Sequence, residues 1–246
     1  MIIEKPRRIF SILDYNLKLL FVIPARGGSK GIPGKNIKSF MGKPLIHHSI
    51  EFARLFAVDE DICVSTDSPE ITSCAKQLGL LVPFERPSHL ATDEAGSFEV
   101  LQYALSFYLS RGVHYEALVL LQPTSPIRKR QHMEDALKLY EDQLDMVVSV
   151  KKSKANPYYN LFEENKKGYL VLSKGNGQFH RRQDIPDVYE YNGSIYIINS
   201  RSLLLKKSFN EFDATRKYIM DEEYSLDLDT LEEWKYAEYK MKEAKS

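Results

Sequence analysis

Residues Phe21 to Asn36 read F-V-I-P-A-R-G-G-S-K-G-I-P-G-K-N. The apolar run Leu19–Ile23 that leads into them has the length and composition of a buried strand. It stops at Pro24 and opens into a loop holding Gly27, Gly28, Gly31 and Gly34 together with Arg26, Lys30, Lys35 and Asn36. Glycines let main-chain N–H groups turn toward a polyanion and approach it closely, and Arg and Lys neutralise it. A helix is expected next, with Pro44 in its first turn. Strand, glycine-and-cation loop and helix in that order form an arrangement suited to a triphosphate. The dinucleotide pattern G-x-G-x-x-G is absent, and a Walker A loop would need Gly at Ser29 and Ser or Thr at Asn36. The plainer alternative is a flexible connection with surface lysines. It does not account for so many phosphate-compatible groups directly after a strand.

Outward from this loop, strand and helix signals alternate. Strands are expected at Leu19–Ile23, Asp61–Thr66, Ala117–Leu121 and Met146–Val150, and helices at Leu45–Phe56, Ile71–Leu78, Phe98–Leu109 and His132–Tyr140. Such alternation implies βαβ crossovers, an α/β fold with a mostly parallel sheet and helices on both faces. Ligands then bind at the carboxyl ends of the strands, which puts Arg26, Asp67 and Gln122 on one rim. Between about residues 151 and 190 the helical period is lost. Tyr158, Tyr159, Phe162, Tyr169, Leu170 and Val171 are too apolar for a disordered linker, so an inserted β-rich arm is expected.

The chain has 246 residues, enough for one α/β domain over 18–246, preceded by an extension over 1–17 to which no role attaches. Lys plus Arg number 34 and Asp plus Glu 34, a balance that disfavours a nucleic-acid partner. Cys63 and Cys74 make neither a disulfide framework nor a zinc site and read as buried thiols of a reducing compartment. No run approaches 18 apolar residues, and Asp14, Asn16 and Lys18 interrupt any signal-peptide core, so no membrane association and a cytoplasmic location are expected.

Further residues bear on chemistry. Gln122 ends a strongly apolar strand, where an amide should face a ligand or a backbone group. Asn192 precedes Gly193 and could equally make a hairpin turn. Asp93 could cap the helix after it. In S-L-D-L-D-T, Asp227 and Asp229 project to one side of an extended segment and Leu226 and Leu228 to the other. Two carboxylates on one face suit a hard cation such as Mg²⁺. Asp229 could instead favour the start of the next helix, where Thr230 to Glu233 reads as a capping box. Asp67 is a secondary ligand candidate for the same ion or a ribose. The histidines have no nucleophile beside them that the sequence can place, and His47 and His48 are expected to point one inward and one outward.

Ile23 to Asn36, Arg86 to Ser97 (R-P-S-H-L-A-T-D-E-A-G-S), Leu120 to Arg128 (L-L-Q-P-T-S-P-I-R), Asn192 to Ile197 (N-G-S-I-Y-I) and Ser225 to Thr230, in that order, resemble the motifs of the acylneuraminate cytidylyltransferases and their bacterial relatives acting on other nonulosonic acids. The resemblance spans roughly residues 19 to 232. It implies a Rossmann-like nucleotidyltransferase fold and transfer of CMP from CTP to a nonulosonic acid, with Mg²⁺ held by Asp227 and Asp229. It implies nucleotide contacts from Arg26, Ser29, Lys30, Lys35, Asn36, Arg86, Ala95 and Ser97, of which Arg26, Lys30 and Lys35 would also offset charge during transfer. It implies sugar-acid contacts from Gln122, Arg182, Gln183 and Asn192. It also implies a homodimer in which residues 151–190 complete the neighbour's site.

The pattern is broken on the sugar side. Glu190 stands where sialic-acid-specific members carry an arginine, Gly27-Gly28 replace a bulkier pair, and Asn156 to Tyr159 lack a nearby lysine. These departures point to an acceptor such as legionaminate in place of N-acetylneuraminate. A nucleotidyltransferase using GTP or UTP, or another sugar acid or sugar phosphate, and a non-catalytic nucleotide-binding protein are the alternatives.

Overall fold

A computed structural model describes residues 17–179 and 181–243; residues 1–16 of the expected N-terminal extension, and His180, lie outside the described residues. In chain order the strands are β1 (Leu19–Pro24), β2 (Ser39–Phe40), β3 (Lys43–Pro44), β4 (Ile62–Ser65), β5 (Ala117–Leu120), β6 (Met146–Lys152), β7 (Phe162–Glu164), β8 (Leu170–Leu172), β9 (Tyr189–Asn199) and β10 (Thr215–Ile219). The α-helices are α1 (Leu45–Ala53), α2 (Pro69–Gln77), α3 (Ser97–Leu109), α4 (Arg130–Lys138), α5 (Ser200–Leu205) and α6 (Leu231–Glu243).

The period-two alternation of apolar side chains in β1 builds the two faces of the molecule. Leu19, Phe21 and Ile23 enter a core shared with Ile46, Ile50 and Ala53 of α1, Ile71 and Ala75 of α2, and Met133 and Ala136 of α4. Leu20 and Val22 enter the opposite core with Phe98, Leu101, Ala104 and Leu105 of α3 and Leu203 of α5. Helices therefore cover both faces, as the alternation of elements implies. Two start signals set helix boundaries differently from the periodicity. Ser68 caps α2 by accepting from the Ile71 amide, with Pro69 in the first turn, so α2 begins before Ile71. Pro44 stands just ahead of α1 as its N-cap residue, not inside the first turn.

The main sheet runs β10-β6-β9-β5-β1-β4. Pairs β1/β4, β1/β5 and β10/β6 are parallel, and β9 is antiparallel to both of its neighbours. The chain moves from β1 to β4 on one side and then returns to β5 on the other, so the sheet reverses its winding between β1 and β5. A crevice forms at the carboxyl ends of strands at such a reversal. β9 runs antiparallel because it returns from β6 through the arm and not through a helical crossover.

That arm is the insertion expected between about residues 151 and 190. At its root Lys151 and Lys152 pair with Glu190 and Tyr189 in the main sheet, and beyond them the antiparallel pair β7/β8 forms a separate ladder. Phe162, Tyr169, Leu170 and Val171 on it are exposed. Asn192-Gly193 makes no hairpin turn. It lies inside β9, where the pairing jumps from Val150↔Tyr191 to Val148↔Tyr196 and the strand bulges, with Gly193 at φ +70°. No helix among the described residues is long and apolar enough to cross a membrane.

Candidate active site

A cleft of about 390 Å³ opens at the carboxyl ends of β1 and β5. Arg26, Ser29, Lys30, Lys35 and Asn36 of the glycine loop, Arg86, Ala95 and Ser97 of the next motif, and Gln122 and Asp229 all line it. The fold thus gathers ten residues singled out in the sequence into one cavity, with Thr124 and Gly96 beside them.

The loop is held in shape by partners far away in sequence. Gly34, at φ +61°, turns the chain into a short 3₁₀ segment, and buried Asn36 donates from Nδ2 to the Arg26 carbonyl at 3.1 Å, closing the loop on itself. Ile32 is inserted into a small apolar cluster with Phe40, Leu45, Leu228 and Trp234. Gly31 lies so close to the Asp229 backbone that an added Cβ would sit 2.3 Å from its carbonyl oxygen. Lys35 Nζ bonds Asp229 Oδ1 at 2.8 Å.

Four cations, Arg26, Lys30, Lys35 and Arg86, line the cleft against the single carboxylate of Asp229. Arg26 and Lys30 both grip Asp93, at 2.6 and 2.5 Å, and Arg26 also donates to the Thr92 carbonyl at 3.0 Å. The hydrogen bond from Lys30, with help from Arg26, holds the Asp93 carboxyl below its ordinary value. Asp93 is therefore not the helix cap the sequence suggests: the N-cap of α3 is Gly96, and the two cations outbid the helix amides for the carboxylate. Arg86 is buried, bonded to Ser65 Oγ at 3.1 Å and to the Ser65 carbonyl at 2.5 Å. Burial pushes its guanidinium down to about 10, and no carboxylate pairs with it among the described residues. The Asp67 charge opposes this fall, but the bonds Arg86 makes are to neutral acceptors, which leaves the buried cation suited to an anion.

The acceptor side departs further from the sequence reading. Gln122 is in the cleft, but Asn192 is spent inside the protein. Its Oδ1 accepts from Ser149 Oγ at 2.6 Å and from the Ser194 amide at 3.2 Å, and its Nδ2 donates to Ser225 Oγ at 3.0 Å. Asn192 thus ties β6 and the β9 bulge to the segment leading to Asp227, and it does not line this cleft. Gln183 is exposed on the arm and lines no part of the cleft; Arg182 begins the same 3₁₀ turn. Glu190 is engaged at the root of the arm by Ser153 and, at 3.2 Å, by Lys151. Asp67 follows β4 at the same rim of the sheet as Arg26, but it does not line this cleft. It accepts from the Gly27 amide at 3.0 Å and borders a second hollow behind the loop.

Leu228 is fully buried and Leu226 packs on the same cluster, so the alternation of the S-L-D-L-D-T segment holds. Asp227 Oδ1 is buried with no hydrogen-bond partner. Burial raises the Asp227 carboxyl, the Asp229 charge adds to the rise, and Thr124 and Lys35 oppose it. An orphaned carboxylate oxygen beside a second carboxylate fits a hard cation. The capping box is present as well: Glu233 accepts from the Thr230 amide at 2.8 Å, and the Glu233 amide donates to Thr230 Oγ1 at 3.2 Å. Because Thr230 fills the cap, Asp229 is left for Lys35. No group of three or more His, Cys, Asp or Glu side chains arranged for a metal occurs among the described residues.

Among the described residues, no histidine lines the cleft. His47 Nε2 lies 2.9 Å from the Cys74 carbonyl and His48 Nε2 lies 3.0 Å from the Phe40 carbonyl, so both turn toward protein. Cys63 and Cys74 are buried free thiols.

A family model described as cytidylyltransferase matches residues 20–245. An N-acylneuraminate cytidylyltransferase of Streptococcus agalactiae is 38% identical over 89% of this chain and 52% of its own. A CMP-N,N'-diacetyllegionaminic acid synthase of Legionella pneumophila is 34% identical over 92% of this chain and 97% of its own. A pseudaminic acid cytidylyltransferase of Campylobacter jejuni is 28% identical over 90% and 95%. The chain spans about half the length of the streptococcal relatives. Among solved structures, a CMP:2-keto-3-deoxy-manno-octonic acid synthetase complexed with CTP superposes with a TM-score of 0.65 at 20% identity, covering 92% of this chain and 99% of that one, a likeness of fold.

Proposed function

The chain belongs to the cytidylyltransferase family, and from that membership we propose that it transfers CMP from CTP to the anomeric hydroxyl of a nonulosonic acid. The observation that carries this reading is the gathering of Arg26, Lys30, Lys35 and Arg86 around one cleft that Gln122 also lines. The acceptor oxygen forms a bond to the α-phosphorus of CTP, the bond from that phosphorus to the bridging oxygen breaks, pyrophosphate leaves, and the hydroxyl proton passes to solvent. Cations already in place cost no reorganisation as charge builds on the leaving group. No covalent intermediate is needed, since positioning and charge neutralisation supply most of such catalysis.

Asp227 and Asp229 would hold Mg²⁺. The free Asp227 Oδ1 supports this, and two carboxylates suffice because Mg²⁺ completes its shell with phosphate and water. Bound there, the ion would neutralise phosphate charge.

A homodimer accords with the exposed apolar arm, and with Gln183 of that arm not lining its own chain's cleft. A cytoplasmic location accords with CTP as substrate and with the two free thiols. For the acceptor, a legionaminate-type acid is favoured by Glu190 and by the Legionella relative, which is matched over nearly its whole length.

Incubation with CTP, Mg²⁺, N-acetylneuraminate and N,N'-diacetyllegionaminate should release pyrophosphate, and folded protein silent with a broad panel of such acids would overturn the reading. Competing the two acids compares their kcat/KM, and about a tenfold preference for N-acetylneuraminate, about 1.4 kcal/mol, would reject the legionaminate choice. Thermal-shift titration with four nucleotides should favour CTP, which at 100 times its Kd stabilises by about 2.7 kcal/mol. Preference for GTP or UTP would replace the nucleotide assignment, and binding of CTP without turnover would indicate a non-catalytic protein.

A further inference from the structure

Arg128 closes the L-Q-P-T-S-P-I-R motif, and its side chain folds back beneath the turn that follows β5. Its Nη2 donates to the Gln122 carbonyl at 2.6 Å, its Nε to the Ser194 carbonyl at 2.9 Å, and its Nη1 to Ser49 Oγ at 3.2 Å. The guanidinium carbon lies 5.7 Å from the centre of the Phe52 ring. One side chain thus joins the end of β5, the bulge in β9 and helix α1.

The cost of keeping a cation there is evident. Burial pushes the Arg128 guanidinium down to about 9, with the Asp227 charge opposing the fall, and no carboxylate pairs with it among the described residues. An apolar residue of similar length would fill the space without that penalty. What an apolar residue, or a lysine, lacks is the rigid planar fork that reaches several acceptors at fixed angles.

Those acceptors matter because of where the Gln122 amide is seated. A Cβ built on Gly193 would lie 2.7 Å from Gln122 Oε1 and 2.6 Å from Ser125 Oγ. The amide therefore occupies a slot between its own turn and the β9 bulge, and Arg128 bonds a carbonyl on each side of that slot. None of the cations lining the cleft, Arg26, Lys30, Lys35 or Arg86, shares a hydrogen-bond partner with it.

We propose that Arg128 is a positioning residue for the acceptor half of the cleft, acting through Gln122 by fixing the β5 turn against the β9 bulge and touching neither substrate. This rests on the reading of Gln122 as the acceptor-facing amide. It sets Arg128 apart from the phosphate-side cations, because it governs acceptor binding and leaves CTP binding alone.

Arg128→Lys keeps the charge and the apolar stem and removes the fork. With N,N'-diacetyllegionaminate, the favoured acceptor, the acceptor KM should rise about tenfold or more while the KM for CTP stays within about twofold, since the group displaced faces the acceptor and not the nucleotide. Ser49→Ala, which removes one of the three bonds, should give the same split at smaller amplitude. A fall in kcat with both KM values unchanged, as from a smaller folded fraction, would overturn the proposal, and so would an equal rise in both KM values. Amide hydrogen exchange on the unliganded variant should quicken in residues 122–128 and 193–195 together and stay unchanged in 26–36. Uniform quickening, or none, overturns it independently of turnover. If the unaltered protein turns over no nonulosonic acid, the functional reading fails, and the exchange pattern alone decides whether Arg128 positions the turn.

Discussion

Lys35 Nζ lies 2.8 Å from Asp229 Oδ1, a bond between residues 194 positions apart that joins the phosphate loop to the proposed metal carboxylates. The Lys35 side chain is largely covered, while Asp229 stands mostly in solvent, so the carboxylate is accessible to an arriving ion. Asp229→Asn keeps the side-chain shape and leaves the Thr230–Glu233 capping box alone. Turnover should fall by about 100-fold or more, the scale of losing one transition-state charge contact. Thermal stability should change by less than about 1 kcal/mol, since the pair is largely exposed on one side. A near-normal rate would remove Asp229 from the metal site.

Arg86 makes the second prediction. Replacing it with Met fills the buried space but removes the only lining cation without a carboxylate partner among the described residues. Calorimetric titration should show CTP bound about tenfold more weakly, about 1.4 kcal/mol. An unchanged Kd would exclude Arg86 from the nucleotide site.

Two glycines of one loop should respond oppositely. A Cβ on Gly31 would collide with the Asp229 carbonyl oxygen at 2.3 Å, whereas one on Gly28 would meet nothing within 4 Å. Gly31→Ala should push the loop off Asp229 and weaken CTP binding, and Gly28→Ala should bind as the unaltered chain does. Equal Kd values for the two variants would refute this.

The arm gives a fourth. Leu170 is 71% exposed and Phe162 53% exposed on an isolated two-stranded ladder, which is marginal without a surface to cover it. Sedimentation velocity should show a dimer that Leu170→Glu converts to monomer. A monomeric unaltered chain would remove the arm as an interface.

A fifth concerns acid stability. Burial raises the Asp145 carboxyl, but bonds from Ser202, the Ala214 amide and Lys206 outweigh it and leave it below its ordinary value of 3.8. The unfolded chain therefore binds the proton more readily, and the stabilisation is fully present above pH 3.8 and lost as the pH falls through the lower folded value. Asp145→Asn should lower Tm at neutral pH and flatten its decline on the acid side. A parallel decline in both proteins would contradict the assignment.

The parts of this molecule that were legible in its sequence are those whose partners are close or whose physics is periodic. β1 and β5 show as apolar runs, and the glycine loop shows as a density of one chemistry. Asp93 was misread because the sequence displays the nearby α3 amides, not the Arg26 and Lys30 side chains that reach it across the cleft. The hairpin reading of Asn192-Gly193 fails because the partners that hold Asn192 in a strand bulge, Ser149 and Ser225, arrive from other elements. Arg128 carried no signal in this respect, since two of its acceptors are main-chain carbonyls, which every residue has.

The cluster that seats Ile32 against Trp234 has a consequence for how the chain is made. A ribosome delivers the phosphate loop long before the helix that props it, and long-range contacts of this kind form late. A growing chain would therefore carry the glycines and lysines of a nucleotide site with no means of shaping them. Competence to bind should arrive abruptly, once α6 has emerged, and nucleotide should shelter the finished protein from proteolysis but not its nascent form.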